Sequence, residues 1–210
     1  MTANDTGPAG QAAATTLYLV RHGQTVWHAE NRYAGISDIG LTGTGREQAR
    51  RLAEWASGAE IDAVWSSPLS RTRATAAPAA SALGLPVTVD GDLVELDFGT
   101  AEGHVLAELP PAEVAAFRAD PVAGAFPGGE HPVKAAARGI GALRRIAHRH
   151  EGERVLVVTH NTLLRLMLCE LLGIPASRYR AVFPKVGNCA VTELRMSGDG
   201  TALMSYNIPL

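Results

Sequence analysis

The sequence predicts an α/β fold: a three-layer α/β/α sandwich with a mostly parallel central sheet and a small inserted lid. Three observations predict it. Short runs that are apolar at successive positions alternate with segments of helical spacing, as expected for strands covered by helices on both faces. The clearest run, Val155-Leu156-Val157-Val158, passes straight through Thr159-His160-Asn161 into an apolar helical stretch. The irregular segment 103–132 interrupts the alternation once.

The elements follow in order. Residues 1–16, rich in Ala, Thr and Gly, lack the basic and apolar regions of a signal peptide, and read as a disordered tail before a single domain over 17–210. Leu17-Tyr18-Leu19-Val20 is a buried strand that stops at Arg21-His22-Gly23. Thr42 caps a helix to about Ala56, with Ala49, Leu52, Ala53 and Ala56 at helical spacing. Ala63-Val64-Trp65 is the second strand. Ser67-Pro68 supplies a cap and a first-turn proline for a helix toward Leu83, which Pro78 is expected to kink or shorten. Val87-Thr88-Val89 is the third strand. The turn-rich Phe126-Pro127-Gly128-Gly129 belongs to the lid, placed at about 103–132. Val133, Ala137, Ile140, Leu143 and Ala147 mark an amphipathic helix, and Thr162 to Leu172 a second one ended by Gly173. Two strands close the chain, near Ala190–Leu194 and Ala202–Tyr206.

Composition bounds the function. With 210 residues, 46% apolar, the chain can bury one core without disulfides or a structural metal. A net charge of −2 argues against a nucleic-acid module, and no apolar stretch approaches the ~18 residues of a membrane span. Cys169 and Cys189 sit in apolar runs and form no C-x-x-C pair, so two reduced thiols and a cytoplasmic location are expected. Of 19 basic residues only Lys134 and Lys185 are lysine. Codon bias explains such a count, and so does recognition of phosphate by guanidinium forks.

Position separates the two. Ligands of open α/β sheets collect at the carboxyl ends of strands, where His22 and His160 follow buried runs. Arg21, at the mouth of an apolar strand, needs a partner, and an anion is the natural one. Arg71 lies in the first turn of a helix, whose N-terminus also attracts anions. Two histidines and two arginines on one edge describe a phosphate site.

Leu19-Val20-Arg21-His22-Gly23-Gln24-Thr25 resembles the signature of the histidine phosphatase superfamily, in its phosphoglycerate-mutase-like branch. The resemblance continues in order through Ser37-Asp38-Ile39-Gly40-Leu41-Thr42, Ser66-Ser67-Pro68-Leu69-Ser70-Arg71-Thr72-Arg73-Ala74, Glu95-Leu96-Asp97-Phe98-Gly99, Gly128-Gly129-Glu130 and Val157-Val158-Thr159-His160. It implies a phosphoglycerate mutase-like sandwich and a phosphohistidine mechanism. By that resemblance His22 is the nucleophile, and Arg21, Arg71 and His160 bind the phosphoryl oxygens. Glu95 protonates the leaving alcohol and then activates water, with Leu93, Val94 and Leu96 supplying an apolar setting and Asp97 as a nearby competitor. Gly23, His28, Asn161, Arg32 and Gly35 complete the candidate substrate- and phosphate-binding set. Gly23 is read as making room for the phosphate. No metal and no cofactor are required.

The chain departs from the family pattern in places. His28 stands where relatives carry a phosphate-contacting asparagine; it either donates to the phosphate or turns away. Asn161 replaces a common glycine, and argues against the acid phosphatase and phytase branch, which has aspartate there. Ala101 and His131 change the expected substrate wall, while His104 and His131 read as solvated lid residues. His148 and His150, two apart at a helix end, read as solvated cations rather than a metal pair. Tyr33 and Trp27 are candidates for the pocket lining, and Trp65 for the core.

The expected function is a metal-independent phosphatase of a small-molecule phosphomonoester. A phosphoglycerate-type phosphomutase is the alternative, disfavoured by the short stretch between Glu95 and His160. A non-catalytic phosphoryl-binding or scaffold protein is the alternative of another class. The expected partner is a phosphorylated small molecule, with no nucleic acid and no membrane; a homodimer is open, since dimers occur in the family.

Overall fold

The computed structural model describes residues 13–198 and 200–210. Six strands form one sheet: β1 (Thr15–Arg21), β2 (Ala63–Ser66), β3 (Val87–Val89), β4 (Arg154–Thr159), β5 (Val191–Ser197) and β6 (Gly200–Ile208), in the order β3-β2-β4-β1-β5-β6. The first four of that order are parallel, and β5 and β6 add an antiparallel edge. The helices are α1 (Gly43–Gly58), α2 (Ser70–Leu83), α3 (Pro111–Ala119), α4 (Pro132–Arg149), α5 (Asn161–Leu171) and the single turn α6 (Tyr179–Val182).

The two-residue period of a strand divides the core. Leu17, Leu19, Val155 and Val157 face one side, where Ile140 and Leu143 of α4 and Leu163, Leu164 and Met167 of α5 cover them. Val20, Leu156 and Val158 face the other, under Leu52 and Ala56 of α1 and Ala76, Ala79 and Ala80 of α2. These β1 and β4 side chains are fully buried, which is why both strands read as uninterrupted apolar runs.

Four expectations are corrected. β1 begins at Thr15 rather than Leu17, because Thr15 Oγ1 lies 2.9 Å from both the Ala147 and His150 carbonyls and ties the strand to the end of α4. The rest of the expected tail, residues 1–12, lies outside the described residues. α2 starts at Ser70 with Leu69 as its cap, and Pro78 sits inside it without ending it. Burial of Ala76, Ala79 and Ala80 against α1 holds the helix through the missing backbone bond. On α4, Val133 and Ala137 are exposed, and the buried face runs through Ala135, Ala136, Gly139, Ile140, Leu143 and Ile146. A Cβ on Gly139 would lie 2.6 Å from Met167 Sδ, so the small residues are what bring α4 close to α5. Finally, His150 is not solvated: its Nε2 accepts from Trp65 Nε1 at 3.1 Å, and Nδ1 lies 2.6 Å from Glu153 Oε2.

Segment 103–132 is anchored in the core by Leu109, Val114, Phe117 and Phe126. Cys169 and Cys189 are free and buried, and burial pushes their thiols up to about 11 and about 12. Among the described residues, no helix is long and apolar enough to cross a membrane.

Candidate active site

The parallel register of β1 and β4 sets Arg21 level with Thr159, so the residues that follow them, His22 and His160, emerge side by side. The His22 amide continues the ladder to the Thr159 carbonyl at 3.0 Å, and the two rings lie 5.3 Å apart. His22 Nδ1 is 2.8 Å from the Gly23 carbonyl, which can only accept. The proton therefore sits on Nδ1, and Nε2 keeps its lone pair. Burial, then Arg21 and Arg71, hold this imidazole well below its ordinary 6.5, so it is neutral at physiological pH.

Gly23 has a packing reason beside the room it was expected to make. A Cβ there would meet the Gly45 carbonyl oxygen at 2.5 Å, so the crowding neighbour is the start of α1. The Gly23 amide donates to Thr75 Oγ1 at 3.0 Å, which fixes the carbonyl that sets the His22 tautomer.

Arg21 donates from Nη1 to the Val186 carbonyl at 2.7 Å and from Nη2 to His28 Nε2 at 2.6 Å. A guanidinium cannot accept, so Nε2 must be the lone-pair nitrogen of His28, with Nδ1–H donating to Thr25 Oγ1 at 2.8 Å. The other tautomer would satisfy the Thr25 amide, 3.0 Å from Nδ1, but would set two donors against each other at 2.6 Å. Burial and the Arg21 charge bring His28 down to about 4. His28 thus faces the cavity as a neutral acceptor that orients Arg21, neither turned away nor cationic.

Arg71 is fully buried and spends Nη1 on the Ser37 carbonyl at 2.7 Å and Nη2 on the Gly35 carbonyl at 2.6 Å. Gly35 sits where a Cβ would strike Glu102 Oε1 and the Leu96 carbonyl oxygen, so it acts here through packing and through Arg71. His160 Nε2 lies 2.8 Å from Ser67 Oγ at the end of β2. Among the described residues the buried side-chain atoms without a partner are Arg21 Nε, Arg71 Nε, His160 Nδ1, Asn161 Oδ1 and Glu113 Oε2. Unpaired buried groups cost roughly 1–3 kcal/mol each. Two guanidinium N–H donors and one imidazole nitrogen in that state, on three residues grouped around His22, form a cradle for an anion.

Glu95 is 3% exposed, in the apolar setting of Leu93 and Leu96 that the sequence predicts. Its carboxylate is not short of partners, however. Oε1 accepts from the Leu96 and Leu163 amides at 2.9 and 2.7 Å, and Oε2 from the Thr162 amide at 2.9 Å. The side chain ties its loop to the first turn of α5, and Oε2 retains one lone pair. Arg138 steadies the same loop through the Asp92, Val94 and Glu95 carbonyls and a two-pronged pair with Glu130 at 2.7 Å. That pairing is the role of the glutamate in Gly128-Gly129-Glu130, and the sequence reading missed Arg138.

A cavity of about 400 Å³ opens over these groups, lined by Arg21, His22, His28, Arg32, Tyr33, Glu95, Asn161, Arg165, Tyr179 and Arg180 among others, with Phe98, Val105 and Leu106 as apolar wall. His160, Arg71, Gly23, Gly35, Trp27, His104 and His131 are not on that lining; His160 and Arg71 lie buried beneath it. His131 instead caps α4, its Nδ1 accepting from the Val133 amide at 3.3 Å. Arg32 reaches the rim with its charge already met by Glu30 at 2.6 Å and Glu108 at 3.0 Å. Arg165, Arg180 and Tyr179 are among the lining residues that sequence reasoning overlooked. Arg165 could have been found, since it lies one helical turn after Asn161 on the same face of α5. No group of three or more His, Cys, Asp or Glu among the described residues could hold a metal ion.

Comparison with known proteins agrees with this geometry. A model of the histidine phosphatase superfamily (branch 1) matches residues 17–209. Phosphoserine phosphatase 1 of Hydrogenobacter thermophilus is 34% identical over 195 residues, covering 91% of this chain and 92% of that protein. The probable phosphoglycerate mutase GpmB of Salmonella choleraesuis is 36% identical over 182 residues, covering 85% and 83%. Among solved structures, Bacillus stearothermophilus YhfR gives a TM-score of 0.88 at 30% identity, covering 94% of this chain and 98% of that one. The chain therefore belongs to the histidine phosphatase superfamily, branch 1.

Proposed function

We propose that the protein is a phosphatase that hydrolyses a small-molecule phosphomonoester through a phosphohistidine on His22, without a metal ion. The observation that carries this reading is the cradle of unpaired polar atoms, Arg21 Nε, Arg71 Nε and His160 Nδ1, around an imidazole whose Nε2 is unprotonated. In the first step His22 Nε2 forms a bond to phosphorus while the ester P–O bond breaks, and the departing oxygen takes a proton from Glu95. In the second, water attacks phosphorus, the N–P bond breaks, Glu95 takes the water proton, and inorganic phosphate leaves. The phosphoserine phosphatase relative supports the hydrolytic outcome. The relative described as a probable phosphoglycerate mutase supports a phosphomutase as the second reading.

The test follows transfer of labelled phosphate from an aryl phosphate in the presence of chelator. A base-stable, acid-labile phosphoenzyme that disappears in His22→Ala is expected, with free phosphate as the product. Isomerisation of a phosphoglycerate without phosphate release would select the mutase, and binding without turnover a scaffold. Glu95→Gln is expected to slow esters with poor leaving groups far more than activated aryl esters; equal losses would move the acid role toward Asp97.

A further inference from the structure

A second cavity, of about 420 Å³, shares no lining residue with the catalytic one. Gln48 and Arg51 of α1, Lys185, Asn188 and Cys189 before β5, and Asn207 of β6 line it. Its side chains include two cations and no acid. Lys185 is exposed and makes no ion pair among the described residues. Glu47 lies 3.5 Å from Arg51 Nε, but both of its oxygens are already taken by Arg50, at 2.6 and 3.0 Å. The same lining is bonded to the catalytic residues. Asn188 Nδ2 donates to the His22 carbonyl at 2.8 Å, and the Cys189 amide to the Arg21 carbonyl at 2.8 Å. The Val186 carbonyl accepts from Arg21 Nη1 at 2.7 Å, and Gln48 Oε1 from the Gln24 amide at 2.8 Å. Cys189 adopts a left-handed φ of 56°, and Asn207, with the same φ, accepts from the Gly187 amide at 2.7 Å. Such conformations persist where the surroundings over-determine them, and they collect at binding and switching segments.

We propose that this cavity binds a small dianion, carried by one phosphate-like group or by two carboxylates, and that its occupancy raises turnover by fixing residues 186–189 against Arg21 and His22. Lys185 and Arg51 supply two positive charges, and a dianion matches both. Gln48 and Asn207 already accept through their side-chain oxygens, so their NH2 groups are the donors left to face a ligand. The bonds from this segment to Arg21 and His22 are made in the arrangement described here. An occupant that holds the segment in place therefore favours the arrangement in which both catalytic residues are positioned. Because the two cavities have no residue in common, the effector need not resemble the substrate. The link to turnover rests on the phosphatase reading; the binding site does not.

The test measures kcat for p-nitrophenyl phosphate at saturating substrate, where competition at His22 drops out, with sulfate or succinate added at constant ionic strength. Wild type is expected to gain about 5-fold, the low end of couplings between sites. A gain with sulfate supports the phosphate-like form of the ligand, and a gain with succinate the dicarboxylate form. The double variant Arg51→Gln, Lys185→Gln changes exposed positions outside the catalytic machinery. It is expected to keep the basal kcat and lose the gain. Binding is read separately, from the amide resonances of Gly187 and Cys189 as either anion is titrated. Asn188→Ala is expected to keep those shifts and lose the gain. Resonances that move with neither anion overturn the site, as do shifts that survive in the double variant. A fall in kcat, or a gain that survives in Asn188→Ala, overturns the link to turnover. Failure to hydrolyse p-nitrophenyl phosphate refutes the phosphatase reading and with it the link, while the resonances still decide the site.

Discussion

Replacing His28 by alanine removes the acceptor that holds one prong of Arg21. The guanidinium keeps its bond from Nη1 to the Val186 carbonyl, but Nη2 loses its 2.6 Å partner. Arg21 is then fixed at one point instead of two, with Nε, the unpaired donor proposed to meet the phosphoryl group, free to swing. Hydrogen bonds involving a charged group contribute about 1.5–3 kcal/mol, which corresponds to roughly a 10- to 100-fold loss in kcat/KM. His28→Asn keeps an acceptor oxygen on a shorter side chain and should fall between wild type and alanine. The assay is kcat/KM for p-nitrophenyl phosphate, with competitive inhibition by inorganic phosphate as a readout of the anion site alone. Because His28 titrates at about 4, the ratio of variant to wild type should stay constant from pH 5.5 to 8. A ratio that changes between pH 6 and 7 would mean that His28 acts as a cation in the working enzyme. A loss under 2-fold would sink the positioning role, and a gain would show that His28 withholds Arg21 from its ligand.

Two further outcomes follow from the same geometry. His22 and His160 are held well below 6.5 in the folded protein by burial, and His28 is brought to about 4, so the unfolded chain binds more protons than the folded one below pH 6.5. Stability is then fully present above pH 6.5 and lost as pH falls from there toward 4. The slope approaches about 1.4 kcal/mol per pH unit for each buried histidine, and is less for the half-exposed His28. Urea midpoints that stay flat between pH 7.5 and 5 would contradict it. Gly23→Ala should cost about 1–3 kcal/mol by forcing backbone away from the Gly45 carbonyl, and should lower phosphoenzyme formation as the Gly23 carbonyl leaves His22 Nδ1. Gly40→Ala, with open space at its Cβ, is the control expected to change neither; equal effects in the two variants would refute the crowding argument.

The layout of the sheet was legible because strands buried on both faces announce themselves by uninterrupted apolar runs, as β1 and β4 do. Helix faces were less so. α4 is rich in alanine and glycine, and Val133, Ala137 and Ile140 share the same spacing as Ala136, Ile140 and Leu143. Which stripe is buried was decided by its partner α5, through the space that Gly139 leaves for Met167. The extension of β1 to Thr15 depends on bonds to residues more than a hundred positions away. No local pattern in the sequence encodes such a bond. The same limit hid the amides that hold Glu95, since the loop that carries it and the helix that grips it are distant in sequence.

His22 and His160 were legible for a physical reason: each follows a buried parallel strand, and parallel register then leaves them no choice but to be neighbours. The arginines show where such reasoning stops. A count dominated by arginine cannot distinguish a solvated helix surface from an anion site, and position at an element's end singled out only Arg21 and Arg71. Counterions complete the division. Arg50, Arg145 and Arg154 pair with carboxylates on the surface, as does Arg32 at the cavity rim. Arg21, Arg71 and Arg165 are buried or nearly so and, among the described residues, make no direct ion pair, sharing the nearby charge of Glu95 instead. Three buried guanidinium groups that share one carboxylate leave positive charge for a ligand, so the arginines without a direct ion pair, rather than the total, carry the information about what binds.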